Sequence, residues 1–172
     1  MLKLIGALLV VAAAALAGFT VALHYSRRPQ QIRQLMHALQ RLETEIAYGL
    51  TPLPEAFQSV ARQIADPLAA LFRLAAERLL AADGKPTRDV WNESVREVWK
   101  RTSLRAPERE AVLQLGGVLG LSDRDDQIKH LRLTVNQLAA EEEESREEHR
   151  RYGKMWKSLG VLIGALIVIL MY

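Results

Sequence analysis

The sequence predicts an all-α protein in which a six-helix cytoplasmic bundle is flanked by N- and C-terminal transmembrane helices. Three observations support this prediction. No charged residue occurs from Leu4 to Leu23 or from Leu159 to Tyr172. Between these apolar ends, apolar residues recur at the three- and four-residue spacing of amphipathic helices. Clusters of Pro, Gly, Asp and Thr interrupt this spacing, and no segment shows the alternating pattern of a strand.

The first apolar segment is long enough to cross a membrane. A helix of about 20 apolar residues spans a hydrocarbon core of ~30 Å, so residues 1–25 are predicted to form a transmembrane anchor. Only Lys3 precedes the segment, whereas four arginines follow it: Arg27, Arg28, Arg33 and Arg41. Because basic flanks tend to stay in the cytoplasm, we expect the chain after the anchor to be cytoplasmic. Cleavage as a signal peptide near Ala15–Gly18 is the alternative interpretation.

Residues 26–140 are predicted to form the helical cytoplasmic domain, and a proline-rich turn joins its first two helices. Pro29 opens the first helix, and Gly49 is predicted to end it. We expect Thr51 to cap the second helix, with Pro52 at its first position, where a missing N–H costs nothing. The apolar stripes are Ile32, Leu35, Met36, Leu39, Leu42 and Ile46 in the first helix and Phe57, Val60, Ala61 and Ile64 in the second.

Similar turn residues separate the next three helices. Asp66-Pro67 is predicted to cap the third helix, and Asp83-Gly84-Lys85-Pro86 is a turn before the fourth, which Thr87 begins. Ala106-Pro107-Glu108 begins the fifth helix, which is predicted to fade at Gly116, Gly117 and Gly120. The third and fourth helices carry apolar stripes, which are Leu68, Leu71, Phe72, Ala75, Leu79 and Leu80 in the third and Trp91, Val95, Val98 and Trp99 in the fourth.

The sixth helix is predicted to be the longest. Ser122 and Asp125 resemble a capping box at its start. We expect it to continue unbroken from Asp123 for about 50 residues, or ~75 Å, because Glu and Arg favour helices even without an apolar face. Residues 141–157 form a charged helical stalk in this prediction. Its glutamate run is interpreted either as a solvated stalk or as a docking surface for a basic partner.

Residues 158–172 are predicted to form the second transmembrane segment. Four basic residues precede it: Arg150, Arg151, Lys154 and Lys157. This flank is therefore also expected in the cytoplasm. The apolar part is shorter than a full span, and a buried core helix or a strand is the alternative. Gly160 and Gly164 form a small-xxx-small pair, which predicts packing against the first segment or against a partner's span.

Composition and motifs argue against an enzyme and against nucleic-acid binding. Since Lys3 is the one basic residue outside residues 24–158, that region has 22 basic residues against 20 acidic ones and no basic excess for nucleic acid. The chain has no cysteine, no phosphate-binding loop and no H-E-x-x-H zinc pair. We therefore expect no catalytic residue, no cofactor and no metal site.

Two residue clusters that could suggest a ligand have simpler explanations. Asp123, Asp125 and Asp126 lack the ligand spacing of a calcium-binding loop and are expected to cap a helix. Trp91 and Trp99 lie eight residues apart, on one face of the fourth helix, and are predicted to pack in the core.

Several blocks of the sequence resemble stage III sporulation protein AB. These blocks are Met1–Ala7, Arg33–Leu35, Leu39-Gln40, Leu42–Leu53, Gly117–Gln127 and Lys154–Leu162. Within them, Gly49–Ala56 is similar to the Gly-Leu-x-Pro-Leu-x-Glu-Ala turn of the F domain found in type II secretion and type IV pilus platform proteins. Those proteins carry two such domains and three spans, whereas this chain has one domain.

The resemblance implies a non-catalytic membrane platform subunit of a sporulation-specific, secretion-like complex. That complex would be the channel between mother cell and forespore, with the helical domain in the mother-cell cytoplasm. The implied partners are a secretion-type cytoplasmic ATPase, other membrane subunits of the complex and further copies of this chain. The alternatives are a membrane-anchored adaptor or signalling module unrelated to secretion, and an exported helical protein.

Charged residues beside the two apolar segments are the predicted partner surface. They are Arg27, Arg28, Arg33, Glu141, Glu144 and Glu148. We expect this surface to face the ATPase.

Overall fold

All the regular secondary structure in the described part of the chain is α-helix, as predicted. The computed structural model describes residues 27–49, 51–81 and 84–171, with side chains up to Arg151. Among these residues, the helices are α1 (27–48), α2 (Leu53–Ala61), α3 (Leu68–Leu80), α4 (Thr87–Trp99), α5 (Ala106–Leu115) and α6 (Arg124–Met171). No strand occurs in the described ranges. The prediction of six helices is confirmed.

One hydrophobic core joins all six helices. Its largest fully buried side chains include three aromatic residues in contact, Phe57, Phe72 and Trp91. The rings of Phe57 and Trp91 are stacked at a centroid distance of 5.3 Å. The indole N–H of Trp91 donates to the carbonyl oxygen of Val112 at 2.8 Å, which satisfies the one polar atom of this buried side chain. Trp91 and Trp99 are 0% and 8% exposed, so the prediction that they pack in the core is confirmed.

α1 and α6 are antiparallel neighbours. Early in α1, Arg28 contacts Glu141 of α6. Late in α1, Glu43 contacts Arg132, and the carbonyl oxygen of Ala47 accepts a hydrogen bond from Arg124 at 3.3 Å. Their apolar stripes are buried in the shared core: Ile32, Leu35, Leu39 and Leu42 from α1, and Leu131, Val135 and Leu138 from α6.

Three predicted helix caps are wrong. Asp66 does not cap α3: this helix has no side-chain cap hydrogen bond, and the Asp66 carboxylate lies 3.1 Å from Arg73 Nη2. The Thr51 hydroxyl does not cap α2 and lies 3.3 Å from a carboxylate oxygen of Glu45, so the helix begins at Leu53 after Pro52. At the start of α6, the carboxylate of Asp123 accepts the backbone N–H of Asp126 at 2.8 Å. The Ser122 hydroxyl instead donates to the carbonyl of Val118 at 3.1 Å. At Thr51 and at Ser122, the hydroxyl that was predicted to cap a helix forms a hydrogen bond to a nearby acceptor instead.

The chain divides into two compact units. Residues Arg28–Glu143 form one unit, and the described residues on either side, Arg27 and residues 144–171, belong to the other. Among the residues searched, no helix is both long enough and apolar enough to cross a membrane. Both predicted transmembrane segments, residues 1–25 and 158–172, lie outside the residues whose side chains are described. The backbone of α6 is helical to Met171, which fits the predicted unbroken helix.

Candidate functional site

Ion pairs join three helices of the Arg28–Glu143 unit at the end where α1 begins. This set, here termed the charged junction, consists of Arg28, Arg33, Glu108, Glu141 and Glu142. α1 supplies the arginines, α5 supplies its third residue, and α6 supplies two glutamates. The antiparallel arrangement of α1 and α6 places these distant parts of the sequence side by side.

The contact between Arg28 and Glu108 is the most buried part of the charged junction. Arg28 Nε donates to Glu108 Oε1 at 2.7 Å, and the two side chains are 7% and 0% exposed. The second carboxylate oxygen of Glu108 accepts the backbone N–H of Arg105 at 2.8 Å. Glu108 is the third residue of α5, where a carboxylate can reach back to the residue that precedes the helix. Both of its oxygens therefore have a donor, as a buried carboxylate requires.

The α6 side of the charged junction is more open to solvent. Arg28 Nη2 lies 3.2 Å from Glu141 Oε2, and the Glu141 side chain is 20% exposed. Arg33 Nε lies 3.2 Å from Glu142 Oε1, and the Arg33 side chain is 52% exposed. Of these two pairs, only Arg33–Glu142 has a largely exposed partner, and screening by water and salt lowers its contribution to stability. The most buried contacts of the charged junction are therefore those that Arg28 makes with Glu108 and with Glu141.

The structure brings together three of the six residues of the predicted partner surface. Arg28, Arg33 and Glu141 belong to the charged junction, and Arg28 is bonded to Glu141 directly. Arg28 is 6% exposed, so it cannot contact a partner without rearrangement of the helices around it. Arg33 remains accessible. The predicted partner surface as a whole is not tested by these contacts and stays a prediction.

The other predicted residues belong to the second unit. Arg27 and Glu144 are exposed, and Glu148 is half-buried. Gly160 and Gly164 lie within the helical backbone of α6, and their packing lies outside what the structure describes. The prediction that they support close helix packing therefore remains open to test.

Glu108 is the residue of the charged junction that the sequence interpretation missed. The Ala106-Pro107-Glu108 pattern predicted the start of α5 correctly, and a glutamate at the third helical position is a known capping signal. That signal says nothing about burial. Its pairing with Arg28 spans 80 residues of sequence and depends on how α1 packs against α5.

The chemistry of the charged junction is that of a set of internal ion pairs. Glu108 and Glu141 accept hydrogen bonds from Arg28. In the described part of the chain, no group of three His, Cys, Asp or Glu side chains is placed to hold a metal ion. The arrangement can fix the relative positions of α1, α5 and α6.

Comparisons with known proteins agree with this architecture. Residues 3–172 match the family model described as stage III sporulation protein AB. A relative with that name from Bacillus subtilis (strain 168) is 42% identical over 172 residues, which cover 99% of each chain. A solved structure of stage III sporulation protein AB is similar with a TM-score of 0.68 and 40% identity, and the match covers 72% of this chain and 97% of that one.

The family model and the Bacillus subtilis relative match nearly the whole sequence, including both apolar ends. The resemblance of blocks such as Leu42–Leu53 and Gly117–Gln127 to this family is therefore confirmed. The chain belongs to the stage III sporulation protein AB family.

Proposed function

We propose that this protein is a non-catalytic membrane platform subunit of a sporulation-specific, secretion-like complex. The observation that carries the proposal is membership of the stage III sporulation protein AB family over residues 3–172. In this proposal the complex is the channel between mother cell and forespore. The helical domain couples a cytoplasmic ATPase to the membrane components.

The direction of the first and last helices supports attachment to a membrane at both ends of the chain. Because α1 and α6 are antiparallel, the chain enters and leaves the Arg28–Glu143 unit at one end, beside the charged junction. The apolar sequences Leu4–Leu23 and Leu159–Tyr172 lie beyond these two points. Basic residues flank both apolar sequences on the side of this unit, and such flanks tend to stay in the cytoplasm.

Similarity to the F domain supports the platform role. The turn Gly49–Ala56 joins α1 to α2, as the corresponding turn joins the first two helices of F domains. Platform proteins with two F domains supply both halves in one chain. We propose that this protein, with one domain, reaches the same arrangement as a homo-oligomer or together with other membrane subunits.

α6 supplies the mechanical element of the proposal. It is a single helix of 48 residues, about 72 Å long at 1.5 Å per residue. Its first part is packed in the core, and its sequence then passes through the glutamate run into the apolar end. We propose that α6, which continues from the core into this sequence, is the element through which the domain acts on the membrane components.

The topology is tested by the accessibility of single introduced cysteines. Because the chain has no native cysteine, any labelling reports the introduced position. Cysteines replace Leu2, Arg62 and Tyr172 one at a time, and intact cells are treated with a membrane-impermeant thiol reagent. Arg62 is exposed, whereas a buried position such as Ser94 would be protected on either side of the membrane. We expect labelling at both ends and none at position 62. Labelling at position 62 in intact cells would contradict the proposal.

The role in sporulation is tested in Bacillus subtilis cells that lack their own stage III sporulation protein AB. This chain is expected to restore heat-resistant spores, and the secretion-type ATPase is expected to co-purify with it from membranes. A chain without residues 1–25 is the matched control. Restoration of sporulation without any association with the ATPase would argue for the adaptor function instead.

A further inference from the structure

Five basic residues lie close together in the sequence between the end of α4 and the start of α5. They are Arg96, Lys100, Arg101, Arg105 and Arg109. The same stretch contains two carboxylates, Glu97 and Glu108, and both are already paired. Glu97 lies 2.6 Å from Arg78, and Glu108 lies 2.7 Å from Arg28. Both carboxylates of this stretch therefore already have a cationic partner outside it.

A groove of about 740 Å³ lies beside this stretch, between α4 and the neighbouring helices. Trp99 forms part of its lining and is 8% exposed, with its indole N–H directed to the carbonyl oxygen of Arg105 at 3.3 Å. Two carboxylates line the groove, and each already has a cationic partner: Lys85 for Glu93 and Arg78 for Glu97.

The remaining cations of the groove have no partner within the described residues. Arg96, Lys100 and Arg109 are exposed, and none of their side chains forms an ion pair or hydrogen bond with another described residue. Arg96 and Lys100 are four residues apart, so they lie on one face at the end of α4. The dipole of α4 favours cations at that end. Arg109 is in a different position, near the start of α5, where the dipole of α5 disfavours a cation. Helix dipoles therefore do not explain the presence of Arg109.

We propose that this groove docks an acidic helix of a partner protein, whose carboxylates pair with Arg96, Lys100 and Arg109. The proposal rests on the platform function and assigns the surface through which the domain holds a partner. Carboxylates four residues apart on a helix match the spacing of Arg96 and Lys100. The aliphatic parts of the basic side chains give such a helix an apolar surface to cover. The charges provide specificity and a fast encounter.

The test uses the full chain in nanodiscs of uncharged lipid. The probe is a fluorescent helical peptide with glutamates four residues apart along one face, and the reference peptide has glutamine at the same positions. We expect the acidic peptide to bind and the glutamine peptide to bind at least about tenfold more weakly. Binding should weaken between 50 and 300 mM salt, roughly the range over which screening of exposed charges becomes strong.

Charge reversal identifies the groove. The double variant Arg96→Glu and Lys100→Glu should bind the acidic peptide about tenfold or more weakly, since each attraction becomes a repulsion and an exposed pair contributes up to a factor of about five. The control variant reverses Arg62 and Lys129, which are exposed and without described partners elsewhere on the domain. It should bind as the wild type does. Equal binding by both variants, with folding verified by circular dichroism, would overturn the proposal.

Other occupants give distinguishable results. If the groove variant loses binding to phosphatidylglycerol vesicles while its peptide binding is unchanged, the groove is a lipid surface and the proposal is overturned. If it loses only self-association in sedimentation experiments, the occupant is a second copy of this chain, which also overturns the proposal. Loss of peptide binding with intact ATPase association supports the groove and leaves the platform function standing. If the peptide binds at the groove but neither the wild type nor any variant associates with the ATPase, the platform function is contradicted and the groove proposal stands.

Discussion

Glu108 is buried as a charged residue because the fold provides donors for both of its carboxylate oxygens. Arg28 supplies one donor and the backbone N–H of Arg105 supplies the other. The cost of removing a carboxylate and a guanidinium from water is substantial, and their attraction offsets it only with good geometry. Removing one partner is therefore expected to cost more than the pair contributes when intact.

Replacement of Glu108 with Ala should lower the free energy of unfolding by about 3 kcal/mol, the lower end of the range for breaking a buried pair. The lower end applies because Arg28 keeps its contact with Glu141. Chemical unfolding of the full chain in micelles, followed by tryptophan fluorescence, measures the change. The Trp156→Phe background restricts the signal to Trp91 and Trp99, both buried in the core.

Two matched variants separate charge from packing at this site. Glu108→Gln keeps an acceptor for the Arg105 N–H and should cost less than the Ala variant. The double variant Arg28→Met and Glu108→Leu should leave the free energy of unfolding almost unchanged, because well-packed apolar residues often substitute for a buried ion pair. A double variant as unstable as Glu108→Ala would show that packing around these side chains, and not their charge, governs stability.

At the scale of helices and turns, the positions of proline and glycine predicted most of the helix boundaries. α4 begins at Thr87 after Pro86, α5 begins at Ala106, and α5 ends before Gly116, all as predicted. These signals are reliable because they act through the backbone itself. The caps assigned to Thr51 and Ser122 were wrong because a hydroxyl can bond to any acceptor within reach, and tertiary structure decides which acceptor is there.

Gly120 illustrates a turn that depends on both backbone conformation and space. Its φ is +73°, and a Cβ there would lie 3.3 Å from Leu53 and 3.4 Å from Thr87. Gly84 has a similar φ of +67° with nothing within 4 Å of a Cβ. Gly84→Ala should therefore cost about 1 kcal/mol through the left-handed conformation alone, and Gly120→Ala should cost more.

Thermal unfolding under the same conditions compares the stability lost in Gly84→Ala with that lost in Gly120→Ala. The difference between them isolates the contact of residue 120 with the start of α2 and α4. Equal losses of stability would show that Leu53 and Thr87 move aside without cost, and that the α5–α6 connection is not closely packed against those helices.

At the scale of the whole molecule, the sequence predicted the class, the helix order and the membership of the core, but not the charged junction. Apolar periodicity is a local property, and it identified Leu35, Leu39 and Trp91 correctly. The pairing of Arg28 with Glu108 and Glu141 depends on which helices are neighbours, and periodicity does not specify this. The same limit explains why Arg28 was assigned to a partner surface although it lies inside the domain.

The shared core predicts that the Arg28–Glu143 unit unfolds as one cooperative unit. Leu39 is fully buried in α1, within the core that joins all six helices. Leu39→Ala should lower stability by about 3 kcal/mol, and hydrogen exchange should show the same loss for the slowest amides of α3 and α4 as for those of α1. His37→Ala, at an exposed position on the same helix, should leave these rates unchanged. Loss of protection confined to α1 would mean that this helix opens separately, which would weaken the case for force transmission through a rigid domain.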